Sequence, residues 1–406
     1  MSWFHQNQSF FAEHSSGQVG SIGIRLASST SGTQPATLMR RNIANSATVR
    51  KTTISSTPVR LGFVPLNDCA PLVVAQEHGL FARFGVDVRL SRELGWATVR
   101  DKIIHGELDA AHAPCGLPLA LELGLNCLPT RTVTGLVLNL NGNAITLSEE
   151  LWQAGVRDAQ TLRVFLTANR GRRTLTFGTV SPYSTHTLLL RRWLTQAGAD
   201  FTRDVRFVVV PPPQMVVNLA AGHLDGFCAG EPWNSLAVSD GTGWIPATSS
   251  DLSPLHPEKV LLATADFAER REPEHLRLLA ALLEACAYCD QPANHAALAD
   301  LLSNRRYLGQ PAEVIRRGFP GDFDYGHGLR SPMADFIVFH RESANVPSPD
   351  KAAWVARHLL DGTARERFSA DQLTQIFRAD LFAQAQELRL ATLPHETDSE
   401  TRLLTA

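Results

Sequence analysis

The sequence lacks the features that mark several classes of protein. Its net charge of -2 over 406 residues provides no positive field for nucleic acid or an acidic membrane, so direct nucleic-acid binding is not expected. It has no apolar run as long as a membrane-spanning helix. It also has no phosphate-binding glycine loop and no dense cysteine framework of the kind that stabilises small secreted domains.

The six cysteines are scattered through apolar segments, and we interpret them as reduced core thiols. Cys286 and Cys289 have the spacing of a redox motif or half a zinc site, but they fall inside a helical pattern from His275 to Asp290. A structural zinc needs four ligands, and no second Cys or His pair follows at finger spacing. A buried helix face is therefore the preferred interpretation, and neither a metal nor a cofactor is expected.

The first 57 residues bear on the compartment. An exported binding protein is expected to begin with basic residues, an apolar run of about 7 to 15 residues and a cleavage site. The run Ile22–Ala27 is interrupted by Arg25, and the pair Arg40 and Arg41 is followed by polar residues. The basic, Ser- and Thr-rich composition also suits an organellar transit peptide. We interpret residues 1–57 as a disordered basic extension and expect a cytoplasmic protein.

After this extension, apolar strand patterns alternate with helical patterns, which is typical of α/β folds with parallel sheets. Strands are predicted at Val59–Val64, Val86–Leu90, Arg206–Val210, Gly226–Ala229 and Val260–Thr264. Helices are predicted at His186–Ala197, Met215–Ala221, His275–Asp290, Ala352–Phe368 and Gln372–Leu390. The length and the 44% hydrophobic composition favour two lobes over one.

Several short sequence words occur in order along the chain. They are Gly62-Phe-Val-Pro-Leu66, Gly95-Trp96, Asn141-Gly-Asn143, Ser181-Pro-Tyr-Ser-Thr-His186, Pro211-Pro-Pro-Gln-Met215, Gly230-Glu-Pro-Trp-Asn234 and His256-Pro-Glu-Lys259. Together they resemble the nitrate- and bicarbonate-binding proteins of ABC importers, from about Val59 to about Ala385. The resemblance implies a two-lobed, periplasmic-binding-protein-like (type II) α/β fold with parallel-rich sheets and a cleft between the lobes. It also implies a protein that captures a small oxyanion and is not an enzyme.

In the fold that this resemblance implies, the chain crosses twice between the lobes. We expect the crossings near Ala144–Ser148 and Pro257–Val260. Residues 58–148 and 259–406, including the C-terminal helices, would then form lobe 1, and residues 149–258 would form lobe 2. The cleft is expected at the carboxyl ends of the strands.

Lys259 is the expected cation of the site. Nitrate is planar, monovalent and weakly hydrated, so its site needs a few convergent donors and one positive charge. The resemblance implies that bicarbonate-binding relatives carry an acidic residue here that helps to hold a metal. Lys259 therefore favours nitrate or nitrite without a metal, whereas the plainer alternative is a solvated Lys after a turn proline.

His186 and Thr185 are expected at the start of a predicted helix. A His at a helix N-terminus can donate a ring N–H, while the free backbone amides and the helix dipole favour an anion. Thr185 could donate its hydroxyl or cap the helix. A capping or packing role for His186 is the alternative.

Trp96 and Asn143 are the other two expected ligands of the anion. Trp96 would supply an indole N–H and a flat apolar wall, although a lone Trp is more often a core residue. Asn143 follows Gly142 where nitrate-binding relatives are expected to carry Gln, so its amide is one methylene shorter. The shorter side chain implies a slightly larger pocket or a shifted anion, so the sequence does not fix the affinity or the preference between nitrate and nitrite.

Three further residues are expected near the cleft. Glu231, followed by Pro232, should turn away from an anion and bond backbone amides or Lys259. Gln214 could be a further donor, although a structural role suits it equally. The predicted cleft thus offers a cation, an imidazole, an indole and an amide, with no cluster of carboxylates.

The resemblance, taken with the missing leader, implies a NasS-type cytosolic nitrate and nitrite sensor. Such proteins hold an RNA-binding antiterminator of the ANTAR type inactive until the anion binds. One alternative is the substrate-binding component of a nitrate ABC transporter. Another is a pyridoxal-phosphate-dependent pyrimidine synthase of similar fold, which uses a Lys and a His in its cleft. The missing glycine loop disfavours that enzyme.

Overall fold

The computed structural model describes residues 57–392, so the predicted extension 1–57 lies outside the described residues except for Thr57. The strands are β1 Val59–Phe63, β2 Val88–Arg92, β3 Ala110–Pro114, β4 Thr132–Val133, β5 Val137–Asn141, β6 Asn143–Ser148, β7 Leu175–Thr179, β8 Val205–Val209, β9 Gly226–Gly230, β10 Gly243–Thr248, β11 Pro257–Thr264, β12 Gly321–Gly326, β13 Leu329–Met333 and β14 Ile337–Val338.

The α-helices are α1 Ala70–Glu77, α2 Leu80–Arg83, α3 Trp96–Ile104, α4 Leu117–Glu122, α5 Glu149–Gln153, α6 Ala159–Asn169, α7 Thr185–Gln196, α8 Met215–Ala220, α9 Trp233–Ser239, α10 Ser249–Leu252, α11 Ala265–Arg270, α12 Glu272–Cys289, α13 His295–Leu302, α14 Ala312–Arg317, α15 Pro349–Leu359, α16 Gly362–Arg365, α17 Ala370–Ile376 and α18 Ala379–Thr392. Short 3-10 turns lie at Asn67–Cys69, Pro212–Gln214 and Pro292–Asn294.

Each lobe is built on one sheet. The lobe 1 sheet has the order β14-β5-β11-β3-β1-β2, with β4 also paired to β11, and the lobe 2 sheet has the order β10-β6-β9-β7-β8. Strands linked by helices pair in parallel, as β1 does with β2 and β3, and as β7 does with β8 and β9. Strands next to the crossings pair antiparallel. The predicted two-lobed α/β fold class is confirmed, with mixed sheets.

The first crossing lies earlier than predicted. β5 ends in the lobe 1 sheet at Asn141, and β6 begins in the lobe 2 sheet at Asn143. Between them Gly142 has φ of 99°, a conformation that glycine adopts readily and that permits this abrupt change of sheet. The segment Ala144–Ser148, predicted as the crossing, is therefore the body of β6. The second crossing ends where β11 begins, at Pro257.

Two helices predicted as continuous are each broken in two. The predicted helix Ala352–Phe368 is α15 followed by α16, because the Asp361 side chain accepts a hydrogen bond from the Ala364 amide and starts a new helix. The predicted helix Gln372–Leu390 is α17 and α18. Between them the chain makes backbone hydrogen bonds with Thr134 of lobe 1, which end α17. Apolar spacing alone carries no signal for either break.

The cores of the lobes are apolar and closely packed. In lobe 1, α1 and α12 pack together against the sheet, and Cys286 and Cys289 lie buried on α12 as predicted. A separate cluster around Phe177 and Trp193 fills lobe 2. None of the helices between residues 57 and 392 combines the length and apolar character needed to cross a bilayer.

Candidate functional site

Lys259 stands at the centre of a buried charged cluster between the lobes. Its side chain is fully buried, and its Nζ lies 2.8 Å from Asp68 Oδ2 and 2.5 Å from Glu258 Oε1. Asp68 lies in the turn after β1, whereas Glu258 and Lys259 are neighbours on β11. The register of β11 against β5 shifts on both sides of Lys259. This irregularity lets consecutive side chains approach each other instead of alternating between faces.

Two histidines extend the cluster from the carboxylates. His112 on β3 places Nε2 2.8 Å from Asp68 Oδ1, and its ring lies 5.3 Å from the Trp96 ring. His256 places Nε2 3.0 Å from Glu258 Oε2 and Nδ1 2.8 Å from a backbone carbonyl. All of these side chains are at most 4% exposed. They form a buried cluster of polar side chains in contact with one another.

The prediction of a cleft without clustered carboxylates is wrong. Asp68 and Glu258 are both buried and both lie against Lys259. A buried ammonium without counter-charges would lose its hydration at high cost, so a cation at this depth requires partners. Lys259 is therefore paired within the protein before any ligand enters. The sequence marks the cation but not the two carboxylates that balance it.

The pairing fixes the protonation states around Lys259. Burial alone would lower the pKa of Lys259, but Asp68 and Glu258 raise it above its ordinary value. Burial would raise the pKa of each carboxyl, yet Lys259 and the neighbouring histidines hold both pKa values below their usual range. At neutral pH the three groups are ionised, with two negative charges and one positive.

Three of the predicted ligands have buried polar atoms that the described part of the chain leaves without a hydrogen-bond partner. They are Trp96 Nε1, Asn143 Oδ1 and both ring nitrogens of His186. Trp96 begins α3 in lobe 1, whereas Asn143 and His186 belong to β6 and α7 in lobe 2. Buried polar atoms normally find partners. Their convergence from two lobes marks a place that a polar ligand would complete.

These side chains surround the charged cluster. Lys259 Nζ lies 5.7 Å from the centre of the Trp96 ring, and His186 Nε2 lies 3.8 Å from Glu258 Oε1. Asn143 Nδ2 donates to Thr185 Oγ1 at 3.5 Å, and the Thr185 hydroxyl in turn donates to Glu258. The residues singled out by the sequence words thus lie on four separate elements, α3, β6, α7 and β11, and the structure brings them together.

His186 is the second residue of the twelve-residue helix α7, which Ser184 caps. Burial lowers the pKa of His186 to about 4, although Glu258 opposes this effect. The ring is therefore neutral at neutral pH and has one N–H to donate. The start of a helix also favours negative charge. This end of the site can accept an anion without losing an existing hydrogen bond.

The remaining predicted residues lie at the edge of the cluster or outside it. Glu231 turns to α9, where its Oε2 accepts from the Ser235 amide at 3.0 Å, which is one of the two arrangements predicted. Burial raises the pKa of Glu231 to about 7, and Pro232 follows as the N-cap of α9. Gln214 is exposed, and its carbonyl accepts from the Asn218 side chain. The structure therefore does not place Gln214 in the buried set.

Sequence reasoning missed Asp68, His112, Glu258 and His256. Two of them carried a signal, since Glu258 and His256 lie within the word that contains Lys259. Because ligands of open α/β sheets bind at the carboxyl ends of strands, a search for polar residues near those ends could also have found His112 and Asp68. The pairing of Asp68 with Lys259 joins residues 191 positions apart, which no local pattern encodes.

Two further observations concern other possible ligands, namely a metal ion and a molecule bound in a surface groove. Within residues 57–392, no three His, Cys, Asp or Glu side chains are arranged so that they could hold a metal ion. An open groove of about 680 Å³ lies on lobe 1, where His295, Arg316 and Arg317 contribute to its walls. None of the predicted ligands lines this groove. The buried cluster is therefore the better candidate site.

Comparison with known proteins agrees with this geometry. A model described as the NMT1-like family matches residues 53–303. The chain is 42% identical over 302 residues to the nitrate import ATP-binding protein NrtC of Synechocystis sp., covering 74% of this chain and 45% of that protein. It is 40% identical over 324 residues to the bicarbonate transport ATP-binding protein CmpC of Synechococcus elongatus, covering 78% of this chain and 47% of that protein. The chain thus spans about half the length of these curated relatives.

A solved structure is similar over most of the chain. The crystal structure of the periplasmic nitrate-binding protein NrtA from Synechocystis superposes with a TM-score of 0.75 and 28% identity. The similarity covers 83% of this chain and 91% of that one. It spans both lobes and therefore the cleft between them.

Proposed function

The chain belongs to the NMT1-like family, and from this premise we propose that it binds nitrate or nitrite between its two lobes. Proteins of similar sequence are named for nitrate and bicarbonate transport, and the similar solved structure is a nitrate-binding protein. These relatives bind or transport their ligands, so the proposed role of this chain is also capture without conversion.

The observation that carries the proposal is the set of unpaired buried donors around Lys259. The Trp96 indole and the His186 ring approach from different lobes, and a planar oxyanion can accept from both at once. Lys259 keeps its charge at this depth because its carboxylates are fixed in place. A small anion would pair the orphaned donors and hold the lobes together.

Lys259 also bears on the choice between nitrate and bicarbonate. A bicarbonate site that uses a metal would need a set of acidic ligands. Here the acidic side chains Asp68 and Glu258 are engaged by Lys259 and by histidines. We therefore assign nitrate or nitrite as the ligand, without a metal.

The finer proposal is a cytoplasmic sensor that controls an RNA-binding antiterminator of the ANTAR type. Its support is the resemblance of the chain to nitrate- and bicarbonate-binding proteins, to which such sensors are related. Closure around the anion would remove a surface that the open form offers to the regulator. A ligand can shift such an equilibrium only if it prefers one form, and the coupling between the two binding events is reciprocal. The binding component of a nitrate importer is supported equally by the named relatives.

A pull-down from the host distinguishes these two roles. Without nitrate, the tagged full-length chain should retain an RNA-binding regulator that mass spectrometry identifies, and millimolar nitrate should release it. A matched sample with millimolar chloride should keep the complex. The protein should fractionate with the cytosol. Recovery from the periplasm, or a complex unchanged by nitrate, would contradict the sensor role and favour transport.

A further inference from the structure

We propose that the anion enters the site together with one proton, which His186 takes up, and that Asp68 and Glu258 impose this coupling. The inference rests on the proposed function, because it concerns how the same site accepts nitrate. It goes beyond that function because it gives a role to Asp68 and Glu258, two carboxylates that do not themselves bind the anion.

The buried cluster has no spare positive charge. Lys259 contributes one positive charge, and Asp68 and Glu258 contribute two negative charges, all at most 2% exposed. These three charges sum to -1. The cluster therefore has no positive charge left for an incoming anion.

An anion entering this cluster would therefore add an uncompensated buried charge. Buried charges without partners are costly, and proteins avoid them by taking up or releasing protons. Bulk solvent does not reach the side chains around the site, since Trp96, Asn143 and His186 are each at most 4% exposed. Uptake of one proton restores the balance that existed before binding.

His186 is the group best placed to receive this proton. Both of its ring nitrogens lack a hydrogen-bond partner among the described residues, so the imidazolium could donate from both. Its charged neighbours are Glu258 and Lys259 on β11, Asp68 after β1, and His256 before β11. Burial lowers the pKa of the ring to about 4 in the free site. A bound anion acts in the opposite direction and raises it.

His112 is the alternative acceptor, because its Nδ1 also lacks a partner in residues 57–392. Its other nitrogen is engaged with Asp68, so a protonated His112 could donate only one N–H to an anion. A protonated His186 could donate from both ring nitrogens, which have no partner among the described residues. The free donors therefore assign the proton to His186.

The coupling has consequences for pH dependence and specificity. Between the pKa of free His186 and its raised value in the complex, each unit rise in pH should weaken nitrate binding by up to about tenfold. Below this interval the ring is already charged, and above it the proton is no longer taken up. A divalent anion would need a second proton, so sulfate should not bind.

Calorimetric titration of the full chain with sodium nitrate, at pH 6 in two buffers of different ionisation enthalpy, measures the protons taken up. We expect about one proton per nitrate, and near zero for His186→Gln, whose amide cannot be protonated. Asp68→Asn removes one negative charge, so this variant should still bind nitrate but take up almost no proton. His112→Gln should retain the uptake.

The outcomes separate this inference from the proposed function. If the parent protein binds nitrate with no proton uptake, the coupling is wrong and nitrate binding stands. If uptake persists in His186→Gln and disappears in His112→Gln, the assignment to His186 is wrong. If uptake is unchanged in Asp68→Asn, the charge balance does not impose the coupling. If nitrate does not bind the parent at all, the proposed function fails first, and the coupling fails with it.

Discussion

Replacement of Lys259 by Met should lower the free energy of unfolding by about 3 to 5 kcal/mol and abolish nitrate binding. The variant removes the ammonium group that lies against both Asp68 and Glu258 at the centre of the cluster. Two carboxylates would remain buried without their cation, which is a more costly state than the intact set. Urea unfolding followed by circular dichroism measures the loss of stability, and calorimetry measures binding.

Two further variants separate the loss of charge from the loss of a side chain. Lys259→Met combined with Glu258→Gln should recover part of the stability, because one uncompensated carboxylate is removed. Lys351→Met is the matched control, since Lys351 on α15 is also largely enclosed but donates to three carbonyls and no carboxylate. It should leave nitrate affinity unchanged. Wild-type stability in Lys259→Met would contradict the ion pairs described above.

Replacement of Gly116 by Ala should weaken nitrate binding by about 10- to 100-fold. Gly116 lies just before α4 in lobe 1, and a Cβ on it would lie 2.1 Å from the Tyr183 carbonyl oxygen of lobe 2. Its φ of -82° suits alanine, so the backbone of the variant is unstrained. The severe clash arises where the lobes meet, so the variant should resist closure. The other close neighbour is Leu359 Cδ1 at 3.0 Å, the end of a flexible side chain. Calorimetric titration with nitrate measures the affinity.

Gly95→Ala is the matched control for this effect, because Gly95 also contacts the opposite lobe. A Cβ there would lie 3.5 Å from the Pro211 Cβ, an ordinary van der Waals distance. We expect its affinity for nitrate to stay close to that of the parent protein. Equal affinity in Gly116→Ala and the parent would show that closure of this edge does not contribute to binding.

The sequence predicted the fold class and several residues that the structure brings together in one buried site, because each depends on local pattern or on short words. Strand and helix alternation indicated the two α/β lobes, and α8 and β9 lie within one residue of their predicted bounds. The first crossing was misplaced because two consecutive positive-φ residues, Asn141 and Gly142, carry it. The two helix breaks follow from a cap at Asp361 and from pairing with Thr134. The pairing with Thr134 involves a segment of the same chain that is distant in sequence, so no local pattern reveals it.

The charge of the site could not be predicted in the same way. Lys259 was identified from its word, but whether it faces an anion or its own carboxylates depends on where Asp68 lies. That residue is 191 positions earlier, and it reaches Lys259 only because β1, β3 and β11 are neighbours in one sheet. The irregular register at Lys259 brings Glu258 to the same point. Long-range pairing and a local bulge thus decide the electrostatics.

Calorimetric titration of the unmodified chain with nitrate, nitrite, chloride, and bicarbonate plus calcium is the most direct test of nitrate binding at this site. We expect one nitrate or nitrite bound per chain, and no heat of binding for chloride or for bicarbonate with calcium. We expect this specificity for two reasons. Buried donors without partners surround Lys259 and can bind a planar monovalent anion. The carboxylates of Asp68 and Glu258 are paired with Lys259 and are not free to bind a metal. Binding of bicarbonate with calcium in place of nitrate, or of chloride as tightly as nitrate, would contradict it.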